Sequence, residues 1–310
     1  MKALRYHDYG GSDVLVLEDV EVPAPGPGQV LVRVAATSFN PLDAALRTGR
    51  MSQVLPLVLP HTPGVDLSGT VSALGPDTTG WSEGDAVIGY LPPTIPGASA
   101  QYVLAPAEVL TAAPRTVPLA DAAALPVAGL SAWQALFDHA QLTAGQRILI
   151  NGAAGAVGRY AVQLAHQAGA HVTATASPRS TDRVRALGAD RLIDYTTTPV
   201  TEAAARDGFD TVVNIVPNSP EEVAALIGLI NDGGTFVSAT TPAPAEPGRS
   251  IRTIRMASAS RPSQLAHLVD RIDAGELHID VADRRPLAQA AEVHHLADQG
   301  RLPGKTIITA

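Results

Sequence analysis

The chain has 310 residues, 45 per cent of them hydrophobic and 17 per cent charged, with a net charge of −8 and no cysteine. That length buries a substantial core and favours two domains, the composition excludes disorder, and the missing cysteines exclude disulfides, thiolate catalysis and Cys-ligated metal sites. The acidic balance speaks against a nucleic-acid partner, no apolar run approaches the ~20 residues of a membrane span, and residues 1–8 lack signal-peptide character, so a cytoplasmic protein is expected.

Residues 30–34, Val-Leu-Val-Arg-Val, read as a strand behind a Pro/Gly loop at 23–28. Turn signals at Gly64, Gly69, Gly75, Gly80, Gly84 and Gly89 continue a strand-rich, barrel-like region, and no helix is expected before residue 120. From Leu119 the texture changes to Ala-rich helical stretches at 120–125 and 130–139. Strands at 147–151, 171–176, 191–194, 211–216 and 235–239 then alternate with helices at 156–168, 181–187 and 221–230. This alternation predicts an α/β, Rossmann-like doubly wound parallel sheet. A loop at 242–248, a β-like segment to Ser258, a helix at 262–274 and a strand at 305–309 complete the chain.

Between the strand at 147–151 and the helix after it stands Gly152-Ala153-Ala154-Gly155-Ala156-Val157-Gly158. Gly155, without a Cβ, lets the backbone approach a pyrophosphate, whose charge meets free amides and the positive helix end. Gly158 lets the helix pack closely on the sheet. The G-x-G-x-x-G fingerprint is imperfect, because Ala153 holds the first glycine position.

The next strand ends in Ala176-Ser177-Pro178-Arg179-Ser180, with no acidic residue to hold the ribose hydroxyls of NAD. NADP is therefore favoured. Ser177 can donate a hydrogen bond to a 2′-phosphate and Arg179 can grip it; the competing reading of Arg179 is a solvated turn residue.

At this loop the sequence resembles the zinc-free quinone oxidoreductase branch of the medium-chain dehydrogenases/reductases, which includes zeta-crystallin and the alkenal and enone reductases. The likeness covers the whole chain and rests also on Asn40-Pro41-Leu42-Asp43, Arg47-x-Gly49, Gly64-Val65-Asp66, Gly84-Asp85-Ala86-Val87, Gly188-Ala189-Asp190 and Gly304-Lys305. Where zinc alcohol dehydrogenases carry Gly-His-Glu, this chain has Gly64-Val65-Asp66. Without a Lewis acid, a quinone or a conjugated enone is the easier hydride acceptor.

The resemblance implies a GroES-like catalytic domain at 1–117 with 276–310 and an NADP-binding Rossmann domain at 118–275. It makes Asn40 and Asp43 the catalytic-site residues, Asp43 in a supporting role. Asn40 has two readings: an amide that hydrogen-bonds the substrate oxygen, or a turn amide that satisfies its own loop. Ala45 and Met51 stand where relatives often have lysine and tyrosine, which leaves no assigned proton donor and tilts the reading towards quinones. Cofactor contacts are expected at Ala154, Gly155, Ala156, Val157, Ser177, Arg179, Tyr195, Asn214, Ile215, Val216, Ser238, Ala239 and Thr240. A homodimer is implied through an edge strand at 251–256.

The expected activity is NADPH-dependent hydride transfer to a quinone without metal. The alternatives are reduction of an enone, an enal or a polyketide intermediate, and an idle NADPH-binding sensor or structural protein. His61, His294 and His295 are expected to be structural or solvated, and Trp133 to pack in the core or at a domain junction.

Overall fold

In the computed structural model, which describes residues 1–244 and 247–310, the chain forms two compact units, one of residues 1–127 and 260–310, the other of residues 128–259. The first unit opens with β1 (Lys2–Arg5) paired antiparallel to β2 (Val16–Asp19). β3 (Gln29–Ser38) is followed by helix α1 (Pro41–Arg47), then by β4 (Asp66–Leu74), β5 (Ala86–Tyr90), β6 (Tyr102–Pro106) and β7 (Leu110–Ala112). Alternate residues of these strands, Val30, Val32, Val34, Val71, Val87 and Val103 among them, close one apolar core.

Helix α1 corrects the expectation of no helix before residue 120. Its signals are local: Asn40 stands at the N-cap, Pro41 at the first position, and the Asp43 carboxylate at N3 accepts from the Asn40 amide at 2.8 Å.

The chain enters the second unit within α2 (Pro126–Trp133), which continues as a π-wound stretch, Gln134–His139. Trp133 there packs edge to face on Phe137. Next come β8 (Arg147–Asn151), α3 (Ala156–Gln167), β9 (His171–Ala176), α4 (Thr181–Ala186), β10 (Arg191–Asp194), α5 (Val200–Ala203), β11 (Phe209–Asn214), α6 (Pro220–Ile227), β12 (Ile230–Ser238) and β13 (Arg252–Arg255). The strands form one parallel sheet in the order β10-β9-β8-β11-β12-β13, the doubly wound arrangement expected from the alternation. Ile148, Leu149 and Ile150 are fully buried in succession, as both faces of such a sheet are covered by helices.

β11 ends two residues before the expected 216, and β12 starts at Ile230, well before the expected 235. The early start reflects a register break at Gly233 and Gly234: Phe209 pairs with Ile230, and pairing resumes at Thr211 with Thr235. Of the loop predicted at 242–248, residues 245 and 246 lie outside the described residues.

Back in the first unit, α7 (Pro262–Asp273), β14 (Asp283–Pro286), α8 (Ala290–Asp298) and β15 (Thr306–Thr309) complete the chain. The large sheet runs β14-β15-β3-β4-β5-β7, with β6 on β3. Residues 118–127 and 260–275, expected within the nucleotide-binding domain, pack with the strand-rich unit. The reason is local bonding: Asp121 holds Arg284 through both carboxylate oxygens (2.9 and 2.7 Å), and Asp273 accepts the amides of Arg115 and Thr116 (2.8 and 3.0 Å).

Candidate functional site

In the parallel-sheet unit, chain direction across the sheet reverses between β8 and β11, the place where open α/β sheets leave a crevice at their carboxyl ends. The turn after β8 fills that position. Gly152 has φ +98°, which a side chain would strain, and the Gly155 amide donates to the Gly152 carbonyl at 3.0 Å. A Cβ on Gly158 would lie 2.2 Å from that carbonyl oxygen and 2.6 Å from Ala153 Cα, so only glycine lets α3 start here. Gly155 is exposed and extended at the N-cap of α3. The amides of Ala156 and Val157, in the first turn, have no acceptor within the helix. This cradle of backbone donors at the positive end of a twelve-residue helix suits a pyrophosphate.

Of the residues expected on the cofactor, Ala154, Ala156, Val157, Ile215, Val216 and Thr240 are half-buried, and Ala239 is exposed. They gather at one rim: a Cβ on Gly152 would meet Val216 Cγ1 at 2.8 Å, and Thr240 Oγ1 donates to the Val216 carbonyl at 2.7 Å. Asn214 and Ser238 are different. Both are fully buried at the ends of β11 and β12, so they support the rim from beneath. The Asn214 amide is spent on Asn151, Val216 and Thr240, and Ser238 Oγ accepts the Thr240 amide at 3.3 Å.

At the end of β9, Ser177 begins a tight turn whose carbonyl accepts from the hydroxyls of Ser180 and Thr181 (3.1 and 3.0 Å). Arg179 is exposed on that turn and, among the described residues, has no ion pair or hydrogen bond. Tyr195 follows the neighbouring β10 and is 54 % exposed.

The strand-rich unit holds a second, charged cluster. Asp66, fully buried at the start of β4, faces Lys305, which is almost as buried, at 3.1 Å. Asp66 also takes the Asn40 side-chain amide at 2.8 Å, the Ser38 hydroxyl, and the backbone amide of Val127 in the first turn of α2 at 2.8 Å. Lys305 donates to Asn40 Oδ1 at 2.9 Å. A lysine donates only, so Asn40 must turn its oxygen to Lys305 and its NH2 group to Asp66 and to the Ser38 carbonyl (3.2 Å). Asp43 caps α1 and accepts the Gly64 amide at 3.0 Å. Burial, more than any neighbour, pushes its carboxyl up to about 6.

Two family models match the chain, one described as the alcohol dehydrogenase GroES-like domain over residues 26–115 and one as zinc-binding dehydrogenase over residues 187–308. A chloroplast envelope quinone oxidoreductase homolog of Arabidopsis thaliana is 32 % identical over 99 % of this chain and 98 % of its own length. The chain belongs to the zinc-free quinone oxidoreductases of the medium-chain dehydrogenase/reductase family. It is an oxidoreductase. An NADPH-dependent alkenal/one oxidoreductase, also of Arabidopsis thaliana, is 33 % identical over 99 % of this chain and 79 % of its own length. The solved structure of the quinone oxidoreductase from Coxiella burnetii superposes with a TM-score of 0.91 at 30 % identity, covering all of this chain and 99 % of that one. The zinc-binding description of the second model does not extend to ligands here: the chain has no cysteine, and among the described residues no group of three or more His, Asp or Glu side chains converges as a metal site.

Within this oxidoreductase, sequence reasoning missed Asp66 and Lys305 as partners of Asn40. A signal was present. Lys305 is one of only two lysines in a chain that otherwise uses arginine, and an acidic residue opening an apolar strand calls for a buried cation. Of the residues set aside, His61 and His294 are buried and His295 is exposed. His61 is pushed down to about 4 by burial and packs edge to face on Tyr6; His294 is pushed down to about 3, chiefly by burial, and packs on Phe39. No helix of the described residues is long and apolar enough to cross a membrane.

Proposed function

We propose that the protein transfers hydride from NADPH to a quinone without a metal. NADPH when bound supplies the hydride; the residues of this chain bind and orient it. Ala154 to Val157 receive the pyrophosphate. Ser177 and the unpaired Arg179 take the 2′-phosphate, with Tyr195 beside the adenosine. Ile215, Val216, Ala239 and Thr240 line the ribose and nicotinamide side.

The observation that carries the quinone reading is the locked Asn40. Both hydrogens of its amide are spent, on Ser38 and Asp66, and both Asp43 oxygens accept backbone amides. A quinone tolerates the lack of a donor there, because the hydroquinone anion is protonated on oxygen by water; the enolate left by hydride addition to an enone has to take its proton on carbon and gains more from a placed acid.

One observation favours the enone alternative. Tyr90 stands opposite Asp66 in the β4–β5 register, and among the described residues its hydroxyl makes no hydrogen bond. Its phenol is pushed up to about 12, first by burial and then by Asp66 and Asp43, so it is a proton-bearing group at neutral pH.

The test is NADPH oxidation by the purified protein against para-quinones, ortho-quinones and conjugated enones, with NADH and acceptor-free controls. Quinone-dependent turnover that survives Tyr90→Phe is expected. Turnover confined to enones and abolished by Tyr90→Phe replaces the proposal with the double-bond reductase, and binding without turnover with any acceptor leaves an NADPH-binding protein. Arg179→Ala is expected to weaken NADPH far more than NADH. A cytoplasmic place of action and a homodimer through β13, one of the two edge strands of the parallel sheet, belong to the same proposal. Light scattering that finds only monomer removes the dimer.

A further inference from the structure

The carboxyl ends of β9, β8, β11 and β12 are joined by an unbroken run of polar side chains. The Gly152 amide donates to Thr175 Oγ1 (2.9 Å), and that hydroxyl donates to Asn151 Oδ1 (3.1 Å). Asn151 Nδ2 donates to Asn214 Oδ1 (2.8 Å). Asn214 Nδ2 donates to the Val216 carbonyl (3.0 Å) and, at a longer 3.4 Å, to Thr240 Oγ1, whose own hydroxyl donates to the same carbonyl (2.7 Å). Thr175 and Asn214 are almost completely buried and Asn151 nearly so.

Every bond in the run points the same way. It begins on a backbone N–H, which only donates, and ends on a backbone carbonyl, which only accepts, so the orientation of both amides and both hydroxyls follows without a free choice. Aligned in this way, each bond polarises the next. Gly152, held at φ +98°, is the first residue of the glycine turn, and Val216 stands directly against it, 2.8 Å from where a Cβ would lie.

We infer that Thr175, Asn151 and Asn214 are positioning residues for the cofactor: the directed chain sets the glycine turn against the Val216–Thr240 rim, so that both are preformed when the dinucleotide arrives. None of the three needs to touch it. The inference rests on the nucleotide reading of this rim and adds to it a residue set that acts through Gly152 rather than by contact. Preformed geometry reduces the ordering that binding must supply.

The hydroxyl of Thr175 is the link to cut, because Thr175→Val keeps the shape and leaves both Gly152 N–H and Asn151 Oδ1 unpartnered. Dissociation constants for NADPH and NADH are measured by nucleotide fluorescence on wild type, Thr175→Val and Thr175→Ser, well below the unfolding temperature of each. Thr175→Val is expected to weaken both nucleotides alike, by about tenfold, within the net worth of the two hydrogen bonds it removes, and Thr175→Ser to restore both to within about twofold. The common loss separates this chain from Arg179, which discriminates between the two.

Unchanged affinity in folded Thr175→Val, with only its thermal midpoint lowered, overturns the inference and leaves the chain a purely structural device. A loss confined to NADPH also overturns it, because Thr175 then acts at the 2′-phosphate. If Thr175→Val does not fold, Asn151→Ser, which breaks the run at its centre without burying a charge, is measured against the same outcomes. A wild type that binds neither nucleotide defeats the cofactor reading itself, a result distinct from all of these.

Discussion

The two polar clusters meet the same demand, buried hydrogen-bonding groups at the end of a sheet, with opposite chemistry. In the strand-rich unit the groups are charged: Asp66 and Lys305 face each other with Asn40 and Ser38 between and around them. In the parallel-sheet unit they are neutral, and Thr175, Asn151 and Asn214 pass a directed chain of donors along the sheet. A buried ion pair is held rigidly, since neither charge can be left alone without a large desolvation penalty. A neutral run is weaker per link but fixes every orientation from its ends. The difference teaches that Asn40, on the charged side, is an amide already used, whereas the rim above the neutral run keeps its own backbone donors for a ligand.

The largest test breaks the charged side. Lys305→Met takes from the buried Asp66 carboxylate its only cation among the described residues, and loss of one partner of a buried pair costs about 3–5 kcal/mol. The chain has two tryptophans, Trp81 in one unit and Trp133 in the other. In a Trp133→Phe background, Trp81 fluorescence therefore follows the strand-rich unit alone. A loss below about 1 kcal/mol, the range of exposed pairs, shows that the cluster is solvated in solution and that Asn40 is freer than its contacts imply.

The same unit carries opposed pH dependences. His61 and His294 have folded values of about 4 and about 3, below the usual 6.5. The unfolded chain binds their protons first, so their contribution is present above pH 6.5 and is lost as pH falls towards those values. Asp43, raised from 3.8 to about 6, has the reverse sign: its contribution is present below pH 3.8 and lost as pH rises through 6. Replacing His294 with Leu is expected to remove acid sensitivity on the order of 3 kcal/mol between pH 7 and 4. An unchanged acid limb in that variant places the sensitivity elsewhere.

The contrast between the clusters also explains what was legible in sequence. The parallel sheet could be read, because apolar strands, the glycine turn and helical stretches arrive in chain order within one continuous segment. Its strand ends were misjudged at 216 and 235, where the glycine pair Gly233-Gly234 shifts the register, a tertiary feature. The resemblance placed Asn214 and Ser238 on the cofactor; it could not show that their side chains are buried and bonded to Asn151 and Thr240, because which way a strand-end side chain faces depends on its neighbours. Helix α1 was missed although its cap was in plain view at Asn40, Pro41 and Asp43. Lys305 and the acid that opens β4 each signalled a buried partner, but that the two meet could not be read, since they are 239 positions apart and come together only through the sheet.

On the neutral side, Gly158 and Gly155 separate packing from binding. Gly158→Ala drives a Cβ into backbone atoms at 2.2 and 2.6 Å, and overpacking of this kind costs about 1–3 kcal/mol. It is expected to lower the unfolding midpoint of the parallel-sheet unit, read on Trp133 in a Trp81→Phe background, and to weaken nucleotide as a consequence of the shifted turn. A variant as stable as wild type shows that the turn gives way freely and is not held by the run from Thr175.

The smallest effect on stability, and the sharpest on function, belongs to Gly155→Ala. Its Cβ meets only the Gly152 carbonyl oxygen, at 3.3 Å, and the residue sits at φ −74° and ψ 171°, an extended conformation that alanine adopts without strain. Exposed substitutions of this sort move stability by less than about 0.5 kcal/mol. The reason for glycine at 155 must then lie outside the fold, in the close approach of a pyrophosphate that a methyl group holds off. Nucleotide titration is expected to show NADPH and NADH weakened together in a variant whose unfolding midpoint matches wild type. Retained affinity would mean that the phosphates rest on Ala156 and Val157 without passing over Gly155, and the turn would then owe its shape to Gly152 and Gly158 alone.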